Sequence, residues 1–309
     1  MLKKIHPHSI ELLDVLRRAP LLLSREAKER ISNFTSRQLT PEGGFCNRAG
    51  TCDQYYTMFG LGCAMALNIS MPVKKIKQYI LSSPAEDLDL VHLVCRVKSL
   101  LIIKLMRWRI FYPLLRFIYN TGLHSQIKVN AEKFRSPDGG FNDDSAKISH
   151  PYAIFMGLNL YQDCGTKIPD TANLIKALEN CRKGKNTFYN PASKGQGMLL
   201  STSAAMLTLR QLTGKVDISV LDWIAQQQGE TGGFHASPDS PMPDLLSTAV
   251  ALFTLSVCSY PLDSMADSAM GFILNHWHEN GGFTGTLVDD CADCEYTFYA
   301  LMALGALAK

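Results

Sequence analysis

The chain lacks a strong charge of either sign. Its 31 Lys and Arg against 28 Asp and Glu leave a net charge of +3, and no Lys/Arg tract tracks a phosphate backbone. No nucleic-acid partner is expected. Strand patterning is absent too: apolar and polar residues nowhere alternate long enough for a β-run, which removes barrel enzymes built on parallel strands. The opening "MLKKIHPHSIELL" has charges but no apolar leader region. The nine cysteines are odd in number and scattered, so reduced thiols in a cytoplasm are expected rather than a disulfide framework. What is present is an ordinary globular balance, 46% hydrophobic and 19% charged, sufficient for a sizeable core.

Repeats organise the rest. "PEGGFCNRAGTCDQYYTMFGLGCAMAL" from Pro41, "PDGGFNDDSAKISHPYAIFMGLNLY" from Pro137, "ETGGFHASPDSPMPDLLSTAVALFTL" from Glu230 and "GGFTGTLVDDCADCEYTFYALMALGAL" from Gly281 share one order. A glycine turn is followed by an aromatic, a polar loop and an apolar run. A degenerate copy from Asn186 keeps the Phe and the Ser-Thr helix start but not the paired glycines. The glycines supply a sharp reversal, the Phe plugs the interface beneath it, and Asp, Ser or Thr caps the next helix. Runs such as "STAVALFTLSV" are apolar nearly all round and predict inner helices, whereas "TANLIKALENCRK" and "ISVLDWIAQQQ" are amphipathic and predict an outer layer. Inner helices are expected after Tyr55, near 87–105, and from about Pro151, Leu199, Asp244 and Asp293. Six such hairpins close into an all-α, (α/α)6 toroid spanning 1–309 as one domain around a central apolar cavity.

The recurring GGF…D/S..YT..AL.AL unit resembles the repeat of protein prenyltransferase β subunits and of squalene-hopene-type terpenoid cyclases. The resemblance covers most of the chain from Pro41 onward and implies an isoprenoid-handling enzyme with a polyprenyl chain held in the toroid. In the transferase branch it places Arg48 and Tyr56 at diphosphate-binding positions and Asp53 at the zinc Asp. Tyr55 stands at the family's zinc Cys position, so Cys52 from the adjoining loop and His92, spaced from Asp89 as in the family's D-x-x-H segment, complete the expected set. Tyr55 and Tyr296 join Arg48 and Tyr56 as substrate-binding residues. Transferases of this kind also imply a separate helical partner subunit.

The last repeat adds "DDCAD". Its spelling suggests magnesium and a diphosphate, with Asp290 and Asp293 as catalytic carboxylates beside Asp53. Crowded carboxylates raise one another's pKa, so Asp289, Asp290, Asp293 and Glu295 also suit a protonating acid. That is the cyclase reading, although the D-x-D-D segment of that branch is missing. A non-catalytic toroid binding lipid or protein is a further alternative, as is a glycosidase using Asp53 and Asp293 across the cavity. Asp recurs at one repeat position as Asp53, Asp244 and Asp293, which favours helix capping as the shared role. An irregular, basic outer-helix insertion is expected over about 95–135. It holds Trp108, Phe111, Tyr112 and Phe117 among arginines, and its 95–120 portion would rest on an anionic membrane. Ring closure should bring the last repeat against the first, making that seam the expected active site.

Overall fold

The computed structural model describes residues 5–107, 130–143, 147–192 and 197–308. Its inner helices are α3 (Gln54–Ala66), α5 (Leu90–Arg107), α6 (Pro151–Asp163), α8 (Leu199–Thr213), α10 (Leu245–Val257) and α12 (Cys294–Leu307). Each packs on the next in that order, and α12 packs back on α3, so the ring is closed. Around it lie outer helices α2 (Arg25–Arg37), α4 (Val73–Ile80), α7 (Thr171–Glu179), α9 (Ile218–Ala225) and α11 (Ala266–Asn275). The expected toroid is therefore present, with two short strand pairs at turns, β1 (Phe45–Cys46) with β2 (Cys52–Asp53) and β3 (Arg182–Lys183) with β4 (Thr187–Phe188).

The repeat motif explains how each inner helix starts. Asp53, Asp244 and Asp293 are N-caps, their carboxylates accepting backbone N–H bonds from Tyr55 and Tyr56, from Ser247 and from Tyr296. Four residues on, the hydroxyl of Thr57, Thr248 or Thr297 donates to the cap's own carbonyl and accepts from the N–H of Phe45, Phe234 or Phe283. One buried hydroxyl thus ties turn, aromatic and helix together, because it can donate and accept at once. In the degenerate copy Met198 has no capping side chain; the N–H of Leu199 bonds to the carbonyl of Ala236, as that of Leu245 bonds to Gly285 in the next copy. The five repeat phenylalanines, Phe45, Phe141, Phe188, Phe234 and Phe283, are all fully buried.

Two glycines show why the motif resists other residues. A Cβ on Gly60 would stand 2.2 Å from the Phe45 ring. Gly281, at φ +95°, would place one 2.6 Å from the carbonyl of Arg30 on α2, so the outer layer closes where the inner ring does.

One element has no counterpart in the repeat reading. Helix α1 (His8–Leu16) touches α3, α6, α10 and α12 together and closes one end of the ring. Ile10, Leu13, Val15 and Leu16 are buried there. Glu11 accepts two bonds from Arg210 at 2.8 and 2.9 Å, and Ser9 donates to Asp163 at 2.8 Å. The expected insertion needs correction at its start: residues 95–107 are the body of inner helix α5, largely buried in the ring, and not an outer helix. The second half of the proposed membrane-facing stretch, 108–120, lies outside the described residues. Among those described, no helix is long and apolar enough to cross a membrane.

Candidate active site

With α1 as floor, the ring encloses a cup of about 720 Å³ that opens at the N-terminal ends of the inner helices. Counting from each helix's cap position, the lining side chains recur at the same steps. Two residues after the cap come Tyr55, Val91, Tyr152, Leu200, Leu246 and Glu295, forming an upper ring. Six after the cap come Phe59, Cys95, Met156, Ala204, Val250 and Tyr299. Nine after the cap come Lys98, Asn159, Leu207, Phe253 and Met302, with His8 and Leu12 of α1 completing the floor. The helical repeat accounts for these steps, and seven residues between upper and lower rings make the cup about 10 Å deep.

The seam between last and first repeats is tightly joined. Arg48 makes a fork with Asp289, at 3.3 and 2.7 Å, and its Nε donates to Asp293 at 2.7 Å while its guanidinium lies over the Tyr296 ring. Hydrogen bonds that Arg48 donates to Asp289 and Asp293 raise its pKa despite partial burial, so it stays charged. Burial works against ionisation of Asp289, yet the bonds from Arg48 and the Cys291 N–H leave it below the ordinary range. Burial dominates at Asp293 and lifts it despite bonds from Tyr296 N–H and Arg48.

Inside the seam, the Tyr55 hydroxyl donates to Glu295 at 2.6 Å. Burial raises the Glu295 carboxyl above its usual range, Asp293 adds to the lift, and the bond from Tyr55 opposes it. Beside this pair Phe59 meets Tyr55, Phe298 and Tyr299 with ring centroids 4.8, 5.1 and 5.5 Å apart. Such faces stabilise positive charge.

The structure distributes the expected residues unevenly. Tyr55 lines the cup; Arg48, Tyr56, Tyr296, Asp53, Asp290 and Asp293 do not. Asp53 spends its carboxylate on its cap bonds, and Asp290 is exposed. The expected zinc ligands do not converge. The Cys52 thiol turns to Thr40, 2.6 Å away, and to Glu42, while the His92 ring nitrogen sits 2.9 Å from both oxygens of Asp89. Zinc needs its donors together at about 2.0–2.3 Å, and no group of three His, Cys, Asp or Glu able to hold a metal occurs among the described residues. The magnesium reading of "DDCAD" meets the same difficulty, because Asp289 and Asp293 are already neutralised by Arg48. The glycosidase pair fails on geometry, since Asp53 and Asp293 cap neighbouring helices outside the cup.

Of the four carboxylates expected as acids, Glu295 alone lines the cup, and Lys98 and His150 are lining groups outside the expected site set. His150 replaces Asp as the cap of α6, accepting from Ala153 N–H, and pairs with Asp143 at the mouth. Burial lowers the Lys98 pKa, with Asp163 opposing, and depresses His8 well below 6.5.

Six inner helices in a closed ring around an aromatic cup, with an outer layer of helices, define an α/α toroid. The chain belongs to the prenyltransferase alpha-alpha toroid domain family, whose sequence model matches residues 6–102 and 198–309. Among solved structures it is similar to Candida albicans protein geranylgeranyltransferase-I complexed with GGPP, at 16% identity over 94% of this chain and 89% of that one, TM-score 0.57. It is also similar to the type II terpene cyclase MstE from Scytonema, at 10% identity over 95% and 98%, TM-score 0.59. A protein from Actinoplanes aligns at 13% identity over 91% and 98%, TM-score 0.54. At these identities the likeness is one of fold. No curated protein matches the sequence.

Proposed function

We propose that this chain is an isoprenoid-handling enzyme that holds a polyene in the cup and starts ring closure with a proton from Glu295. One observation carries the reading: of the four carboxylates in 289–295, Glu295 is the one that lines the apolar cup, paired with Tyr55. Burial favours its protonated form, as an acid needs. Its proton adds to one carbon of a trisubstituted alkene, leaving a tertiary cation at the other. A second double bond of the same chain attacks that cation and closes a ring. Phe59, Tyr299 and Phe298 face the charge as it moves. The last cation gives a proton to water at the mouth, which also reprotonates Glu295, so the reaction is an isomerisation. A transfer reaction is supported less, because Arg48 is committed to two aspartates.

Turnover of farnesol and geranylgeraniol in heavy water tests this. Cyclised isomers carrying one new carbon-bound deuterium are expected, and Glu295→Gln should abolish them in a protein that still folds. Retained turnover in that variant, or products without deuterium, would refute the acid role. Diphosphate release from farnesyl diphosphate without deuterium uptake would point to ionisation instead.

A further inference from the structure

The lining of the cup contains one charged residue in its upper ring, Glu295, and one in its lower ring, Lys98. A lysine at the bottom of an apolar cup is costly unless something meets it. Lys98 is 9% exposed and forms no hydrogen bond among the described residues. On the adjacent helix, at the same step from its cap, stands Asn159, 1% exposed. Its amide nitrogen donates to the Phe155 carbonyl at 2.7 Å, leaving Oδ1 without a partner. From the floor, His8 packs its ring edge-on against Phe155 at 4.4 Å and Phe253 at 5.3 Å, with Nδ1 also unpartnered. Lys98, Asn159 and His8, from three helices, thus all line the cup, and each has hydrogen-bonding capacity left unused among the described residues.

We infer that this lower ring is a head-group subsite, and that the natural ligand is a neutral isoprenoid alcohol bound hydroxyl-first, with its far alkene left beside Glu295. The hydroxyl accepts from the Lys98 ammonium and donates to Asn159 Oδ1, which uses both of its capacities. Neutrality follows from the charges present. Asp163, one turn beyond Asn159 on α6 and held by Ser9, already opposes Lys98. A diphosphate would bring several further negative charges into the cup against one cation already opposed. The roughly 10 Å between the rings sets the two ends of the ligand apart. This rests on the isoprenoid reading of the cup and adds the ligand's orientation and head chemistry to it.

Calorimetric binding of three probes to the full chain tests the subsite: farnesol, the hydrocarbon farnesene and farnesyl diphosphate. Wild type should bind farnesol roughly tenfold or more tightly than farnesene, and more tightly than the diphosphate. Lys98→Met should keep farnesene binding and erase the preference. If that variant fails to fold because Asp163 is stranded, Asn159→Leu decides, since it should cut the farnesol preference severalfold and leave farnesene unchanged. Equal affinities in wild type would overturn the subsite while leaving the cup as an isoprenoid site, Lys98 then being served by water only. So would a preference for the diphosphate, or a farnesol preference that survives both substitutions. Failure of all three probes to bind would overturn the isoprenoid reading itself.

Discussion

Replacing Arg48 with Met separates a structural seam from a diphosphate clamp. The substitution keeps the aliphatic stem but removes the cation from Asp289 and Asp293, whose side chains are 18% and 4% exposed. Removing one partner of a buried ion pair costs about 3–5 kcal/mol, and an exposed pair is worth about 1 kcal/mol or less. Arg48 is itself 39% exposed, so the cost belongs between these limits, about 2–3 kcal/mol. For a chain of 309 residues that corresponds to a fall in Tm of about 4 °C. Asp293→Asn retains the helix cap while removing the charge, because Asn caps as well as Asp. Added to Arg48→Met it should therefore restore about 1–2 kcal/mol, a coupling that a double-mutant cycle by urea unfolding resolves. The deficit should also shrink as the pH is lowered towards 4. Burial already raises the Asp293 carboxyl, so in the variant it protonates early and the stranded charge disappears. An Arg48→Met protein as stable as wild type, or one that Asp293→Asn does not rescue, would refute this account. A clamp for diphosphate would instead weaken farnesyl diphosphate binding and leave Tm unmoved.

Two other predictions concern the frame and the floor. Thr297→Val leaves the buried Phe283 N–H without its acceptor and should cost about 1–3 kcal/mol in urea unfolding; Thr248→Val should cost a similar amount if the repeats are equivalent. Burial raises Asp163 to about 6 from its ordinary 3.8, against opposing effects of Lys98 and Ser9. Below the lower value both folded and unfolded states hold the proton, so the group contributes nothing there. As pH rises to 6, the unfolded state ionises first and stability is lost, by up to about 3 kcal/mol for the group alone. Asp163→Asn should therefore gain on wild type between pH 4 and 6 and then hold level. A stability difference that is flat across that interval would show that Asp163 is not held protonated in the fold.

The frame was readable because the residues that build it are repeated. Each Gly-Gly-Phe turn, its capping Asp and its Thr four residues on occur in several copies, so a pattern carried what no single site could. Helix α1 was not readable in that way. "HSIELLDVL" matches no repeat, and its burial depends on the hole that the other helices leave. Its Glu11 meets Arg210 and its Ser9 meets Asp163 only once the ring exists.

The site shows the same division at finer scale. The seam was expected, and it is where Arg48, Asp289, Tyr55 and Glu295 meet. Which acid faces the cup depends on a rotation: Asp293 and Glu295 are two residues apart at a helix start, about 200° around the axis. One is spent on capping and on Arg48, and the other enters the cavity. Tyr55, at the family's zinc Cys position, and Glu295 both stand two past their caps, the step that faces the cup in every inner helix. Looking there for zinc obscured what the pair is to each other, a phenol and a carboxyl in contact. Lys98 was hidden by composition, because it falls in the basic stretch expected over about 95–135 although it stands nine past Asp89, as Phe253 stands nine past Asp244. In a closed ring of equivalent helices, position relative to the cap decides whether a charge meets solvent or ligand, and that position is written in the sequence wherever the cap can be found.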